Sequence, residues 1–398
     1  MQRDQPLEAD DRFMWALDPF LDERSGYFFE INPSGAMGDG LINSSPGGGF
    51  RANKAWDGIW TARVRRTDIG WQAEIEIPFA TVNFDPNASA WGANFQRTVR
   101  RKNEESRWNG YSRNQGLMQM STAGLVVGLE EINQGLGLDL KPYLAGKITD
   151  TPISGADRAY RGDAGFDLFY NVTPELRANF TLNTDFAETE VDDRRVNLTR
   201  FPLRFREKRD FFLDGSNFFD LSTVGVTPFF SRRIGLDSKG NPQRIVYGVK
   251  LMGQAGAHDI GVLQVRTADS GNIPGEDFSV VRLKRRFLSE SHVATIYTRR
   301  GEQGTGAAVL HTAGAEIQLS TSRLRGDRNL SFTGFYFWNN APQGGGRGAA
   351  RGFRVHYPND TWQLNLSVRE LQENFNPAVG FTPRNGFRRA NPEGVFAP

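Results

Sequence analysis

The sequence predicts an all-β protein in two parts. Residues 1–130 read as a partial β-sandwich, and residues 131–398 as antiparallel strands of an outer-membrane-type β-barrel. Three observations predict this. Apolar residues recur at alternate positions in short runs bounded by Gly, Asn, Asp and Pro, which is the period of a half-buried strand. Gly (44) and Phe (30) are abundant in the 398 residues, and Tyr, Trp, Thr and Val recur within those runs. No apolar run is long enough for a transmembrane helix, whereas a barrel strand needs only about 9–11 residues with alternate positions apolar.

In the first part, Arg12–Asp18 places Phe13, Trp15 and Leu17 on one side. Tyr27–Asn32 and Ala36–Ile42 flank an Asn-Pro-Ser-Gly turn, a hairpin signal. Trp60–Arg66 and Trp71–Pro78 are joined by Thr67-Asp68-Ile69-Gly70; Trp71, Ala73, Ile75 and Ile77 face opposite to Gln72, Glu74 and Glu76. Ala90–Arg100 is a further strand, and Met120–Asn133 a short bridge. Closely spaced strands without helices between them suggest a sandwich.

In the second part, Leu138, Leu140 and Tyr143 lie along a first strand, and Gly165–Tyr170 pairs with Glu175–Asn183. Alternation continues through Ile245–Leu251, Ile260–Val265, Phe278–Phe287, Val293–Thr298, Phe332–Trp338 and Trp362–Val368. Turns such as Gly253–His258 are short, and loops such as Ala341–Ala350 are long and polar, an asymmetry typical of outer-membrane barrels. Tyr297, Trp338, Tyr357 and Trp362 near strand ends would suit interfacial girdles. The segment 200–235 crowds eight Phe among Arg, Lys and acids, a composition suited to a lumenal or plug position.

Lys plus Arg (48) nearly balances Asp plus Glu (46), which argues against a dedicated nucleic-acid binder. Cys is absent, which excludes disulfides, thiol nucleophiles and Cys metal sites. The four His are scattered without metal-ligand spacing. No phosphate-loop motif occurs.

NLTRFPLRFREKRDFFLDGSNFFD followed by PFFSRRIG resembles the hallmark of a bacterial family in which a family 9-like carbohydrate-binding domain precedes an outer-membrane β-barrel, the domain of unknown function 5916. The usual form has Pro where this chain has Asp210. DDRFMWALDPFLDERSGYFFEINPSG, AWDGIWTARVRRTDIGWQAEIEIPF and WGANFQRTVRRKNEESRW are similar to the later part of the carbohydrate-binding domain. The resemblance implies a chain truncated at both ends, with a secretion signal upstream of MQRDQPLEADDRF, and a bacterial outer-membrane location.

Indole faces stack on the C–H faces of sugars, and sugar hydroxyls need fixed polar partners. Among Trp56, Trp60, Trp71, Trp91 and Trp108, the best-placed ring is Trp108, with Asn94, Gln96, Arg97, Arg100 and Glu105 as polar neighbours; Trp71 and Trp91 suit the core. Asp18 and Asp22, with Asp10, Asp11 and Glu23 near, are candidate ligands for the structural calcium that family 9 domains often carry, or else solvated turn acids. Otherwise no cofactor is expected. Glu207 and Asp214 are candidate carboxylates for glycosyl hydrolysis, which needs two of them, or else partners of the surrounding Arg and Lys. Basic runs such as Lys284-Arg285-Arg286 could meet anionic head groups or remain solvated. The expected function is glycan binding at the cell envelope, with outer-membrane lipid as surroundings and no nucleic-acid or protein partner. The alternatives are a glycoside hydrolase and a structural barrel capped by its sandwich.

Overall fold

The structure, a computed structural model, describes residues 7–44, 50–54, 56–86, 88–110, 115–132, 137–149, 159–173, 175–184, 197–198, 201–205, 207–221, 225–236, 242–303, 309–340 and 347–397. It is nearly all β, and every paired strand is antiparallel.

The N-terminal module is built on a seven-stranded sheet. Its strands are β1 (Arg12–Asp18), β2 (Gly26–Ile31), β3 (Met37–Ser44), β4 (Phe50–Asn53), β7 (Ala90–Val99), β8 (Glu104–Arg107) and β9 (Gly124–Val127). The order is β4-β3-β2-β1-β7-β8, with β9 also on β7. The hairpin β5 (Thr61–Thr67) and β6 (Gly70–Glu76) forms a separate two-stranded sheet. Its half-buried face, with Val64, Trp71 and Ile75, packs on Trp15, Phe29 and Ile31 of the large sheet and on Trp56, Trp60 and Trp91. The opposite face of the large sheet is covered by Leu117 and Met120. Burial on both faces explains why β2 reads as the continuous run GYFFEI rather than as an alternating one. The Met120–Asn133 stretch, expected as a bridge, instead supplies β9, because Gly124–Val127 adds to the exposed edge of β7.

The second sheet has twelve strands paired in chain order: β10 (Leu138–Thr149), β11 (Ala159–Thr173), β12 (Leu176–Leu182), β13 (Ile245–Ala255), β14 (His258–Thr267), β15 (Glu276–Phe287), β16 (Ser291–Glu302), β17 (Val309–Leu324), β18 (Arg328–Asn339), β19 (Gly348–Pro358), β20 (Trp362–Leu371) and β21 (Phe387–Phe396). Among the described residues no pairing joins β10 to β21. β19 begins inside the stretch expected as a loop, and β17 and β21 are further strands absent from the expected set.

Both faces of this sheet carry apolar residues, and the buried face carries charged ones as well. On β15, Glu276, Phe278, Val280 and Arg282 point inward and are buried, while Val281 and Leu283 point outward and are exposed. The same holds for buried Lys250 and Met252 against exposed Val249, and for Glu316 against Ile317 and Leu319. Inward charges pair across strands: Arg300 grips Glu276 with two bonds of 2.7 and 2.9 Å, and Arg282 lies 3.6 Å from Glu316.

The Phe-rich segment lies on the inward face. Phe211, Phe212, Phe219, Val226 and Ile234 share one core with residues from β13 through β20, so the sheet curls around the segment. Wall cations fasten it: Lys250 Nζ donates to the carbonyls of Phe211 and Asp214, and Arg282 Nη1 donates to that of Phe218 at 3.1 Å. Asp210 opens the single helical turn Asp210–Leu213. That first position needs no N–H partner and tolerates Pro equally well, so the Pro-to-Asp departure preserves the turn.

Candidate glycan-binding site and the docking cleft

Trp108 follows β8, and its N–H donates to the Phe95 carbonyl at 2.9 Å. The ring is 53% exposed. One side is backed by Phe95, 5.5 Å away, and by the bare backbone of Gly124, where an added Cβ would stand 2.6 Å from the indole. A flat, rigidly backed ring with an open side is a stacking platform.

The polar neighbours expected around Trp108 divide between two faces. Strand period two puts Phe95 and Arg97 on the Trp108 side of β7 and Asn94, Gln96 and Thr98 on the other. Only Arg97, exposed, accompanies the ring. Asn94 is fully buried: its Oδ1 accepts from Asn109 N–H at 3.1 Å and its Nδ2 donates to the Asn109 carbonyl at 3.1 Å, which clamps the turn after β8. Arg100 sits beyond the end of β7, where its backbone N–H donates to Asp11. Glu105 pairs with Thr98 on the far face.

That far face opens on a cleft of about 550 Å³. Arg12, Gln96, Glu105 and Arg107 line one wall, with Met14, Leu117 and Met118 beneath; Asn359, Asp360 and Gln363 of the β19–β20 corner line the other. Arg107 is fixed by bonds to Gln96 Oε1 at 2.9 Å and to the carbonyls of Gly110 and Gln115 at 2.8 and 2.9 Å. Asn94 and Gln96 could have been separated from Arg97 by strand parity alone. The cleft has no sequence signal, because its walls come from opposite ends of the chain.

Asp18 and Asp22 are buried, not solvated. Asp18 accepts backbone N–H groups of Phe20, Asp22 and Glu23, and burial next to Asp22 pushes its carboxyl well above the usual carboxylate range. Asp22 accepts from Arg24 and Ser25 N–H at 2.9 Å and lies 3.5 Å from Arg286. Their oxygens are committed to the turn and to a neighbouring cation. Among the described residues no group of three or more His, Cys, Asp or Glu could hold a metal ion.

The hydrolase candidates are similarly committed. Glu207 accepts from Lys208 N–H, from Arg209 N–H, Nε and Nη2, and from Ser231 Oγ, at 2.8–3.1 Å. Burial opposes its ionisation, yet Arg209 and these bonds win and bring the carboxyl down to about 2. A general acid needs the opposite shift. Asp214 is 2.9 Å from Arg177 Nε and accepts from Asn179 at 2.8 Å, beside a cavity of about 40 Å³ that holds no more than a water or two.

Residues 135–252, which span β10 to β13 and the Phe-rich segment, match DUF5916, a domain of unknown function. This match supports membership of that family for the part of the chain it covers. No curated protein matches the sequence.

Proposed function

We propose that this protein is an envelope-anchored glycan-binding protein: the twelve-stranded sheet resides in a lipid bilayer and the N-terminal module presents a sugar platform at Trp108. The backed, half-open indole with Arg97 on the same face carries the glycan reading. The sheet's outward face supports the anchoring. It exposes Val249, Val262, Val281, Leu283, Val293, Ile317 and Leu319, while charges such as Lys250, Glu276, Arg282 and Glu316 lie buried on the inward face, and strands β13–β21 run 10 to 16 residues, enough to cross a bilayer tilted. Tyr297, Trp338 and Trp362 are exposed on it. No helix among the described residues is long and apolar enough to cross a membrane, so the strands would do so. Binding would be by stacking and hydrogen bonding without bond cleavage.

The test is binding to a glycan panel by the full protein in detergent, with Trp108→Ala and Gly124→Ala. Gly124→Ala displaces the ring without removing it. Both variants should weaken binding about 10-fold or more, the value of one lost stacking contact. Unchanged binding in both would sink the platform.

A second reading, in which the module caps the sheet structurally, is favoured by the contacts that dock it. Arg24 Nη2 donates to the carbonyls of Leu288 and Ser291 at 2.9 and 3.2 Å, and Gln119 meets Asn329 at 3.3 Å. Glycan binding that resists both substitutions, or is absent from the whole panel, would favour it.

A further inference from the structure

The two ends of the twelve-stranded sheet differ. At one end the connections are two or three residues long: 174–175, 256–257, 288–290, 325–327 and 359–361. At the other they run 150–158, 183–244, 268–275, 303–308, 340–347 and 372–386. Membrane β-barrels of the outer-membrane type keep short turns on the periplasmic side and long loops outside.

Among the described residues, the module's docking contacts fall at the short-turn end. Arg24 reaches the 288–290 turn, and Asp22 faces Arg286 beside it. Gln119 meets Asn329 just after the 325–327 turn. The 359–361 turn forms the second wall of the 550 Å³ cleft. β10 starts and β21 ends at this same end, so the link from the module is short.

Resting on the membrane reading above, we infer that the module is held on the periplasmic side of the outer membrane. The saccharide it meets at Trp108 is therefore one reached from within the periplasm, not a polymer outside the cell. Direct capture of external glycan would require the platform to lie beside the long loops, and the docking contacts put it at the opposite end.

The chain has no Cys, so single-cysteine labelling is unambiguous. Ile69, at the tip of the β5–β6 hairpin, and Glu74 are exposed on the module; Asn272 is exposed in the 268–275 loop. Full-length Ile69→Cys, Glu74→Cys and Asn272→Cys would be produced in cells and treated with a membrane-impermeant maleimide, before and after permeabilising the outer membrane. The expected result is full labelling of Asn272→Cys in intact cells, and labelling of both module cysteines only after permeabilisation. Labelling of the module cysteines in intact cells, with Asn272→Cys protected, would overturn the orientation and leave the membrane reading standing. Recovery of all three variants in the soluble fraction would overturn both. Protection of a Ser106→Cys variant, adjacent to the platform, by cell-wall glycan fragments or by short soluble oligosaccharides in permeabilised cells then separates the two periplasmic sources.

Discussion

Glu207 and Arg209 are two buried ions that persist because each completes the other. Arg209 gives two bonds to the Glu207 carboxylate, and further bonds to the carbonyls of Ile234 and Ser231 at 2.9 and 3.1 Å. Its guanidinium also lies 4.1 Å from the centre of the Phe212 ring. The pair ties the start of the Phe-rich segment to its end, so it acts as a structural clasp. Glu207→Gln leaves the guanidinium buried without its counter-charge, a change that typically costs about 3–5 kcal/mol. The carboxyl is held at about 2, below its ordinary 4.5. Its contribution is therefore complete above pH 4.5 and is lost as pH falls through 2. Urea unfolding in detergent should show the wild type well above Glu207→Gln at pH 7, with the gap narrowing towards pH 3. A gap that stays constant with pH would rule the clasp out.

At the scale of the strand, much was legible and the failures have physical causes. On β12, Ala178 and Phe180 against Arg177, Asn179 and Thr181 give a strong period-two contrast, and on β15 Val281 and Leu283 alternate with charged residues; both strands lie where the alternation puts them. β17 carries Ala313 and Ala315 opposite Thr312 and Gly314, so its contrast between faces is too weak to register. β21 contains Pro392 and three charged residues, and only pairing with β20 along its whole length makes it a strand. At the candidate site the exposed ring was legible and its support was not, since Gly124 reaches Trp108 through the pairing of β9 with β7. The exposed apolar residues of the outward face yield a prediction that belongs to the strand. An outward Val281→Arg should cost about 2–4 kcal/mol if β15 crosses the middle of a bilayer, and close to nothing on a water-facing strand. Urea titration of the protein folded into lipid vesicles measures this, with Arg285→Ala, on the same face near the turn, as a mild control. Equal stability of wild type and Val281→Arg in vesicles would remove the bilayer from the account.

At the scale of the whole molecule, what joins the two parts is a small polar seam. Arg286 lies 3.5 Å from Asp22 and 3.2 Å from Asp259, and donates to Gln254 at 2.9 Å and to the Gly256 carbonyl at 2.6 Å. Most of its bonds hold the sheet's own turns, so removing it would disturb both sides. Arg24 is different: its bonds to the carbonyls of Leu288 and Ser291 run only between module and sheet. Charge-assisted bonds are worth about 1.5–3 kcal/mol each, and one guanidinium nitrogen serves both carbonyls here. Arg24→Ala should therefore weaken docking by about 3 kcal/mol, roughly a hundredfold in the docking equilibrium. Hydrogen exchange localises the effect. Amides of residues 19–26 and of the 288–291 turn should exchange faster in the variant, while β7 and the central residues of β15 keep their wild-type rates. Arg24→Lys restores the charge but not the paired geometry, so it should fall between the two. Uniform acceleration across both sheets would mean that Arg24 stabilises the module's fold and not its attachment. Unchanged exchange at the turn would move the seam elsewhere, to the contact between Gln119 and Asn329 or to the walls of the cleft.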